Sequence, residues 1–437
     1  MRSLIKKTLT SFINWLAKAT LKKFKPVVIA VTGSAGKTST KDAIFSVVSL
    51  RKRARCNVGN FNGEYGVPMT ILANLTAQQL VVMSRDATEK PTKVAKARFF
   101  LNIIGSSILR LIFGWKGLYP EVLVLEYGAD KPGDINYLTG IAKPNIAVVT
   151  AVGEIPVHVQ FYQSPEAVAR EKGTLVEALY ASGLAILNGD ENRVSIMQQK
   201  TRATALTFGF AENCDVRIID FENKVENKDG VLKPIGITFK LGYEGAFVPV
   251  RINGTLGKAQ AYAAAAAACV GLAFNMNLVD IAEQLIQFKP PAQRLQFLKG
   301  INESIIIDDS YNASPLSMKM AIETVHSIKA KRKVAIIGDM LELGEFAKEA
   351  HKEIGALAGK VFDVVVGVGA ESAVYASEAL KARLAKKNSI SVLTVDEILP
   401  QLATIIKPGD LVLVKASHGV HLNRVVEAVK EEAGKES

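Results

Sequence analysis

A glycine-rich segment directly after a short apolar run has the composition of a phosphate-binding loop. It reads TGSAGKTST at residues 32–40 and follows VVIAV at 27–31. Between a strand and a helix, the backbone N–H groups of such a loop face phosphate oxygens. Lys37 can neutralise phosphate charge, and the Thr38 hydroxyl suits Mg²⁺, which prefers oxygen ligands. We therefore expect phosphate groups and Mg²⁺ to bind here. The expected phosphate contacts are Gly33, Ser34, Ala35, Gly36, Lys37, Thr38 and Ser39.

The spacing of this loop is shorter than the general pattern G-x-x-x-x-G-K-[ST]. That pattern would place its first glycine at position 31, where the chain has Val31. The sequence has T-G-x-x-G-K-T instead. A glycine-rich turn without function is the alternative, and the flanking strand and helix signals disfavour it.

Further along the chain, Glu126, His158 and Lys172 could take part in metal chemistry. Glu126 ends the apolar run EVLVLE at 121–126, and a carboxylate at the carboxyl end of a strand near a phosphate loop can bind Mg²⁺. His158 and Lys172 lie fourteen residues apart, and each alone is more often structural than functional. The residue types by themselves therefore predict Glu126 as a metal ligand and leave the other two open.

The rest of the pattern alternates strands with helices, which predicts mostly parallel sheets in an α/β fold. The first series has strands at 27–31, 121–126 and 146–150 and helices at 37–50, 166–181 and 258–273. Lys-Pro-Pro at 289–291 interrupts it. A second series follows, with helices near 315–329, 345–359, 370–386 and 420–433. We expect a central P-loop ATPase domain over 26–291 and a C-terminal Rossmann-like domain over 292–437.

Residues 1–25 predict a basic amphipathic helix. Apolar positions recur at helical spacing, and the segment carries seven Lys and Arg with no acidic residue. It is too polar to span a bilayer but suited to lie on an anionic one. The alternative is a helix that packs on the neighbouring domain and keeps its lysines in solvent.

A helical insertion is expected at about 83–118 in the first domain. Its apolar part, 99–115, contains Asn102, two serines and Arg110, so it is short and polar for a membrane span. A second helix at a membrane interface and a helical hairpin that covers the domain are both open.

Composition narrows the class of partner and compartment. The 437 residues fit two or three domains, and the net charge of +12 with a pI near 9.4 favours anionic partners. Aromatic and basic residues are not interleaved, so nucleic acid is not expected. The three cysteines lie far apart without a CxxC pair, which argues against disulfides or zinc. We expect a cytoplasmic protein, with peripheral attachment to the inner face of the membrane as an alternative.

Six motifs that occur in a fixed order along the chain give more information about its family than single residues do. They are TGSAGKTST (32–40), NFNGEYGVP (60–68), LEYGADKPGDI (125–135), DDSYNASPLSM (308–318), GDMLELGE (338–345) and VKASHG (414–419). Together they resemble the Mur ligases, over residues 26–433. DDSYNASP followed by GDMLELGE resembles the branch of the family that adds D-alanyl-D-alanine.

The resemblance implies ATP-dependent amide formation through an acyl phosphate. Lys37, Glu126, His158 and Lys172 are then the catalytic residues, and Thr38, Glu126, His158 and Lys172 the metal site. Lys172 stands where the family has a lysine carbamylated by CO₂. Arg294, Asp309 and Tyr311 resemble nucleotide contacts. The implied substrate contacts are Asn60, Asn62, Glu64, Asn312, Lys415 and Ser417.

Two motifs depart from the family. A His and two Asn before an alanine-rich helix are replaced in GKAQAYAA (257–264), where Gln260 keeps an amide that could read adenine. The Lys-Gly-Ser-Arg loop is Lys415-Ala416-Ser417-His418, which lacks the arginine expected to meet the carboxylate of D-alanyl-D-alanine. The family also normally opens with a domain that holds the UDP end of its substrate, whereas only the basic helix precedes the phosphate loop in this sequence.

Three functions follow from these observations. The first is a Mur-type ligase that joins D-alanyl-D-alanine or a similar amino component to a small peptidoglycan precursor. The second is a Mur-like ligase that acts on a lipid-linked or polymeric acceptor at an anionic membrane surface. The third is an ATP-binding subunit without catalysis, which the presence of Lys37, Glu126, His158 and Lys172 disfavours.

Overall fold

The structure is a computed structural model that describes residues 2–82, 92–228, 231–382 and 384–431. The first part of the expected insertion, 83–91, therefore lies outside the described residues. Helices and strands alternate along most of the chain. The helices are α1 Arg2–Phe24, α2 Lys37–Ser49, α3 Gly66–Leu72, α4 Ala77–Val81, α5 Lys93–Phe113, α6 Asp134–Ile141, α7 Pro165–Glu177, α8 Asn192–Ser195, α9 Lys258–Ala273, α10 Leu278–Gln287, α11 Pro315–Ser327, α12 Ala347–Val361, α13 Ser372–Lys381, α14 Val395–Ile398, α15 Leu402–Ile405 and α16 Asn423–Val429.

The strands form two separate sheets. They are β1 Val27–Thr32, β2 Ala54–Cys56, β3 Val122–Glu126, β4 Ile146–Val149, β5 Leu184–Asn188, β6 Thr204–Gly209, β7 Val216–Lys228, β8 Val231–Tyr243, β9 Ala246–Asn253, β10 Gln296–Gly300, β11 Ser304–Asp308, β12 Lys333–Gly338, β13 Val364–Val368, β14 Ser389–Val392 and β15 Leu411–Lys415. Among the described residues, β1 to β9 make one sheet and β10 to β15 the other, so the chain passes between the sheets once.

The first sheet has the order β2-β3-β1-β4-β5-β6-β7-β8-β9 and is parallel from β2 to β7. Its central strands β1, β3 and β4 are buried on both faces, which suits their β-branched sequences. On β1, Ile29 and Val31 join the core on one face, whereas Val28 and Ala30 join the core on the other.

Helix α9 packs closely against α2 and strands of this sheet. Residues 263–268 are all alanine and fully buried, and small side chains let the backbones approach.

An antiparallel extension of the first sheet was not foreseen. β7, β8 and β9 pair antiparallel at one edge of the sheet, with bulges between β7 and β8. Charged residues such as Glu222 and Lys224 interrupt the apolar pattern of β7, so its alternation is hard to recognise. The α/β fold with mostly parallel sheets is nevertheless confirmed.

The second sheet has the order β10-β11-β15-β12-β13-β14, with only β10 antiparallel among its described strands. Strand β15, the last in the sequence, lies between β11 and β12. The helices of this half are mostly shorter than expected: α13 ends at Lys381 rather than near 386, and α16 covers Asn423–Val429.

Helix α1 packs on the first domain with one face and exposes the other. Ile13, Leu16, Ala17 and Phe24 are at most 2% exposed. Thr10 shares a hydrogen bond with the Tyr65 hydroxyl, and Asn14 donates one to the Tyr137 hydroxyl. Packing on the neighbouring domain is therefore observed. None of the described helices is long and apolar enough to cross a membrane.

Candidate active site

A cleft of about 360 Å³ lies between the two sheets, at loops that follow their parallel strands. The first sheet contributes the loops after β1 and β3 and the segment around His158. The second contributes the loops after β11 and β15. Ligands of α/β proteins commonly bind outside the carboxyl ends of strands, so this cleft is the candidate active site.

The glycine-rich loop turns sharply at the end of β1. Gly33 has φ 151°, and a Cβ there would lie 2.0 Å from the Thr150 Oγ1. Gly36 has φ 81° and precedes α2, and no side chain among the described residues caps that helix. Its first N–H groups are thus available to an anion. The Ser34 N–H instead donates to the Ala151 carbonyl at 2.6 Å.

A chain of hydrogen bonds fixes the candidate Mg²⁺ ligands. The Thr38 hydroxyl donates to Glu126 Oε2 at 2.9 Å, and Asn62 Nδ2 donates to Oε1 at 2.8 Å. The Asn57 side chain accepts from the Glu126 N–H at 2.8 Å. Glu126 is 1% exposed. A hydroxyl and a carboxylate oxygen this close fit a hard cation, and phosphate oxygens and water would complete its coordination.

A buried lysine on α2 anchors the loop that carries these amides. Lys41 Nζ donates to the carbonyls of Asn57 at 2.5 Å and Gly59 at 3.1 Å. Asn60 and Asn62 follow in the same loop and line the cleft. Nothing in the sequence singles out Lys41 except its position directly after the phosphate loop.

Two lysines of the site lie in a region of low polarity. Lys37 donates to the Gly33 carbonyl at 2.9 Å, and burial is the main cause of its lowered pKa, which Glu126 opposes. Lys172 on α7 is 1% exposed and lies behind the cleft lining. Burial lowers the pKa of Lys172 from 10.5 to about 7, and Lys37 acts in the same direction. Lys172 can therefore carry a neutral amine near neutral pH.

His158 meets carboxylates from both halves of the molecule. Its backbone is left-handed, with φ 68°. Its Nδ1 faces the Glu342 carboxylate, and its Nε2 is 3.4 Å from Asp130 Oδ1. The contact with His158 holds the pKa of Glu342 below its ordinary value. Sequence reasoning did not select Asp130 or Glu342, although both lie within the quoted motifs.

The second sheet faces the cleft with a buried ion pair. Lys415 Nζ donates to Asp309 Oδ2 at 2.6 Å and to the Asn312 carbonyl at 2.8 Å. Burial lowers the pKa of Lys415, and Asp309 opposes this. The Ser417 hydroxyl accepts from the Leu341 N–H at 2.9 Å. The expected nucleotide contact Asp309 and the expected substrate contact Lys415 thus bind each other.

Removing one member of this pair should destabilise the protein. Lys415→Met leaves the Asp309 carboxylate buried without its partner, at a cost of about 3 kcal/mol or more in the free energy of unfolding. Denaturant unfolding measures this. The exposed Lys299→Met is the control, and adding Asp309→Asn to Lys415→Met should recover part of the loss. A single variant as stable as wild type would contradict the role of the pair.

Stacked side chains line the cleft near the segment where the chain passes from the first sheet to the second. The Arg294 guanidinium is 4.1 Å from the centre of the Tyr311 ring, and Tyr311 packs edge-on against His418. Gln260 Nε2 donates to the Arg294 carbonyl at 3.3 Å, while Gln260 Oε1 is buried without a hydrogen-bond partner among the described residues.

Most of the expected site residues line this cleft, and four do not. Gly33, Lys172 and Gln260 lie behind its surface, where they shape or support it. Glu64 is exposed and outside the lining. The remaining expected phosphate, nucleotide, metal and substrate residues come together around one space.

Comparison with known proteins agrees with this geometry. The model of the Mur ligase middle domain matches residues 116–271, and that of the Mur ligase glutamate ligase domain matches 293–418. The UDP-N-acetylmuramoyl-tripeptide–D-alanyl-D-alanine ligase of Bacillus subtilis is 32% identical over 431 residues, 98% of this chain and 81% of that protein.

Solved structures of the same kind share the fold. MurF from Thermotoga maritima, in complex with ADP, has a TM-score of 0.72 and 26% identity, covering 96% of this chain and 83% of that one. MurF from Acinetobacter baumannii has a TM-score of 0.73 and 24% identity, covering 95% and 79%.

The cleft holds a phosphate loop and the relatives are ligases, so the chain is an ATP-dependent ligase. The matched domains and the Bacillus subtilis relative show that the chain belongs to the Mur ligase family. Its relatives are ligases, so the alternative of a subunit without catalysis has no support among them.

Proposed function

We propose that this ligase joins D-alanyl-D-alanine to the tripeptide of a UDP-linked peptidoglycan precursor. The names of its relatives supply the substrates. The observation that carries the proposal is the arrangement of the cleft. The phosphate loop, Thr38 and Glu126 lie on one wall, and Asn312, Lys415 and Ser417 lie on the other. ATP, a carboxylate and an amine can therefore meet between them.

In this reaction the main tasks of the protein are to position the anionic substrates and to exclude water. The acceptor carboxylate attacks the γ-phosphorus, and ADP leaves. The amine then attacks the acyl carbon, loses a proton, and phosphate leaves with the electrons of the broken C–O bond. Lys37 is placed to offset charge on the transferring phosphoryl group. Thr38 and Glu126 would hold Mg²⁺, which supplies further charge neutralisation when bound.

We also propose that Lys172 reacts with CO₂. A neutral amine can attack CO₂ to give a carbamate and release a proton, and the lowered pKa of Lys172 favours the neutral amine. The product places an anion near the Lys37 ammonium, where the unmodified residue is a neutral amine. Such an anion, together with His158, could hold a second Mg²⁺.

The test is product formation from defined substrates. Purified protein, ATP and Mg²⁺ are incubated with a UDP-linked muramoyl tripeptide and D-alanyl-D-alanine, and products are read by mass spectrometry. We expect one new amide and one phosphate per ATP consumed. Single amino acids and L-alanyl-L-alanine serve as competing amines. Ligation of one of these in preference to D-alanyl-D-alanine would overturn the choice of amine.

A lipid-linked acceptor is the second candidate, favoured by the exposed basic and apolar surface of α1 and α5. The same assay with the tripeptide on an undecaprenyl diphosphate carrier separates the two. Preference for the lipid-linked acceptor would replace the first proposal.

A further inference from the structure

All of the excess positive charge of the chain lies in two stretches. Residues 1–25 contain seven Lys and Arg, residues 92–118 contain five, and neither stretch has an Asp or Glu. Removing these twelve from the total of 54 leaves 42 Lys and Arg against 42 Asp and Glu. The rest of the molecule is therefore neutral overall, and the basic pI belongs to α1, α5 and the loop after α5.

Several cations of these stretches reach the solvent. Lys18, Lys22, Lys96 and Lys116 are exposed, as is Lys23, whose ammonium also donates to carbonyls of α5. Within the described part of the chain, none of them lies within 4 Å of a carboxylate. Their charge is thus available to a partner rather than consumed inside the fold.

The same stretches expose large apolar side chains. On α5 and the following loop, Leu101, Leu109, Ile112, Phe113, Trp115 and Leu118 are exposed, with Phe113 at 71%, Trp115 at 78% and Leu118 at 80%. On α1, Trp15 is 60% exposed and stacks on Phe12. Large apolar side chains clustered at a surface mark an interaction site.

The two helices form one surface. Lys23 Nζ donates to the α5 carbonyls of Leu111 at 2.6 Å and Arg110 at 3.4 Å. Phe12 precedes Lys23 by eleven residues, three helical turns, and so lies on the same side of α1. The end of α1 therefore borders the end of α5 on the side that carries Phe12, and the exposed side chains of both helices adjoin there.

We propose that this α1–α5 surface binds to the face of an anionic phospholipid membrane without crossing it. Lysine heads can reach lipid phosphates while tryptophan and other apolar side chains enter the headgroup boundary. A second copy of the chain fits poorly, because pairing this face with itself would bring the exposed lysines of one copy, among them Lys18, Lys22 and Lys116, against the same lysines of the other. The proposal does not depend on which acceptor the ligase uses.

Tryptophan fluorescence can report binding of this surface to a membrane. The two tryptophans of the chain, Trp15 and Trp115, both lie on the surface. On adding vesicles of equal parts phosphatidylglycerol and phosphatidylcholine to the full chain, we expect a blue shift of tryptophan emission and co-sedimentation of the protein. Both should weaken in about 0.5 M salt and be absent with phosphatidylcholine alone.

Matched variants separate local charge from net charge. The triple change Lys18→Glu, Lys22→Glu and Lys116→Glu should weaken binding by roughly a hundredfold or more. Lys348→Glu, Lys386→Glu and Lys387→Glu change the net charge equally on exposed positions of the second half and should retain binding. Leu109→Ser with Phe113→Ser should remove the apolar part. Thermal unfolding checks that each variant folds.

Several results would overturn the proposal. One is the absence of binding to anionic vesicles at low salt, and another is equal binding to neutral vesicles. Equal loss in both charge-reversal triples would mean that only net charge matters. A concentration-dependent dimer in sedimentation equilibrium that Leu109→Ser with Phe113→Ser abolishes would assign the surface to a second copy.

Discussion

Lys37→Ala is expected to lower the turnover of ATP-dependent ligation by about a thousandfold or more. The lysine lies in the cleft and is held by the Gly33 carbonyl at 2.9 Å, so its ammonium is positioned before ATP arrives. In a site of low polarity such a fixed charge has a large effect on a developing phosphoryl charge. Phosphate release in the presence of both substrates measures it.

Two controls make this result specific to the phosphate site. Lys131→Ala removes an exposed lysine from the neighbouring loop and should leave turnover unchanged. Lys37→Arg keeps the charge but not the shape and should remain strongly impaired. Because burial disfavours the charge of Lys37, Lys37→Ala should not lower the melting temperature substantially. Turnover of Lys37→Ala close to wild type would remove this residue from the mechanism.

Lys172→Met is expected to abolish ligation while making the protein more stable. The amine is buried, and its pKa falls from 10.5 to about 7, so the folded state disfavours its charged form. A methionine of similar length removes that cost. In buffer without CO₂ at pH 7, we expect a gain of about 2–4 kcal/mol in the free energy of unfolding.

The pH dependence of this gain has a definite sign. Between about pH 7 and pH 10.5 the unfolded chain holds the proton of Lys172 more tightly than the folded chain does. The stability of wild type relative to Lys172→Met should therefore rise with pH across this window, and the difference should be largest below pH 7. Denaturant unfolding at several pH values measures it. A difference that does not vary with pH would contradict the lowered pKa.

Bicarbonate distinguishes the carbamate from a plain lysine. Adding it should change the melting temperature and activity of wild type but leave Lys172→Met unaffected. An unchanged wild type would contradict carbamylation while leaving the proposed ligase reaction intact.

The sequence predicts the strands and the phosphate loop of this molecule better than it predicts the contacts between side chains inside the site. The glycines around Ser34 and the β-branched runs at 27–31 and 121–126 are local signals, so the phosphate loop and its strands could be read directly. His158 lies between β4 and α7 and Glu342 lies between β12 and α12, so their pairing follows only from how the two halves pack. The same holds for Asp309 and Lys415, which the motifs suggested as separate ligand contacts and which form one ion pair.

The edge of the first sheet shows a different limit. Strands β7 to β9 carry charged residues on an exposed face. These residues interrupt the alternation of apolar and polar side chains by which a strand is recognised in a sequence. The apolar stretch of α5 could be recognised in the sequence. Which of its side chains stay in solvent depends on where α1 and α3 cover the helix.

The position of β15 in the middle of the second sheet has a consequence for synthesis on the ribosome. The first sheet uses strands that end at Asn253, so it can complete while the second half is still being made. The second sheet cannot close until Leu411–Lys415 has emerged and inserted between β11 and β12. That last strand also carries Lys415 into the cleft. The second wall of the cleft is therefore complete only after residue 415 has been translated, and a product that stops earlier has the phosphate loop without Lys415.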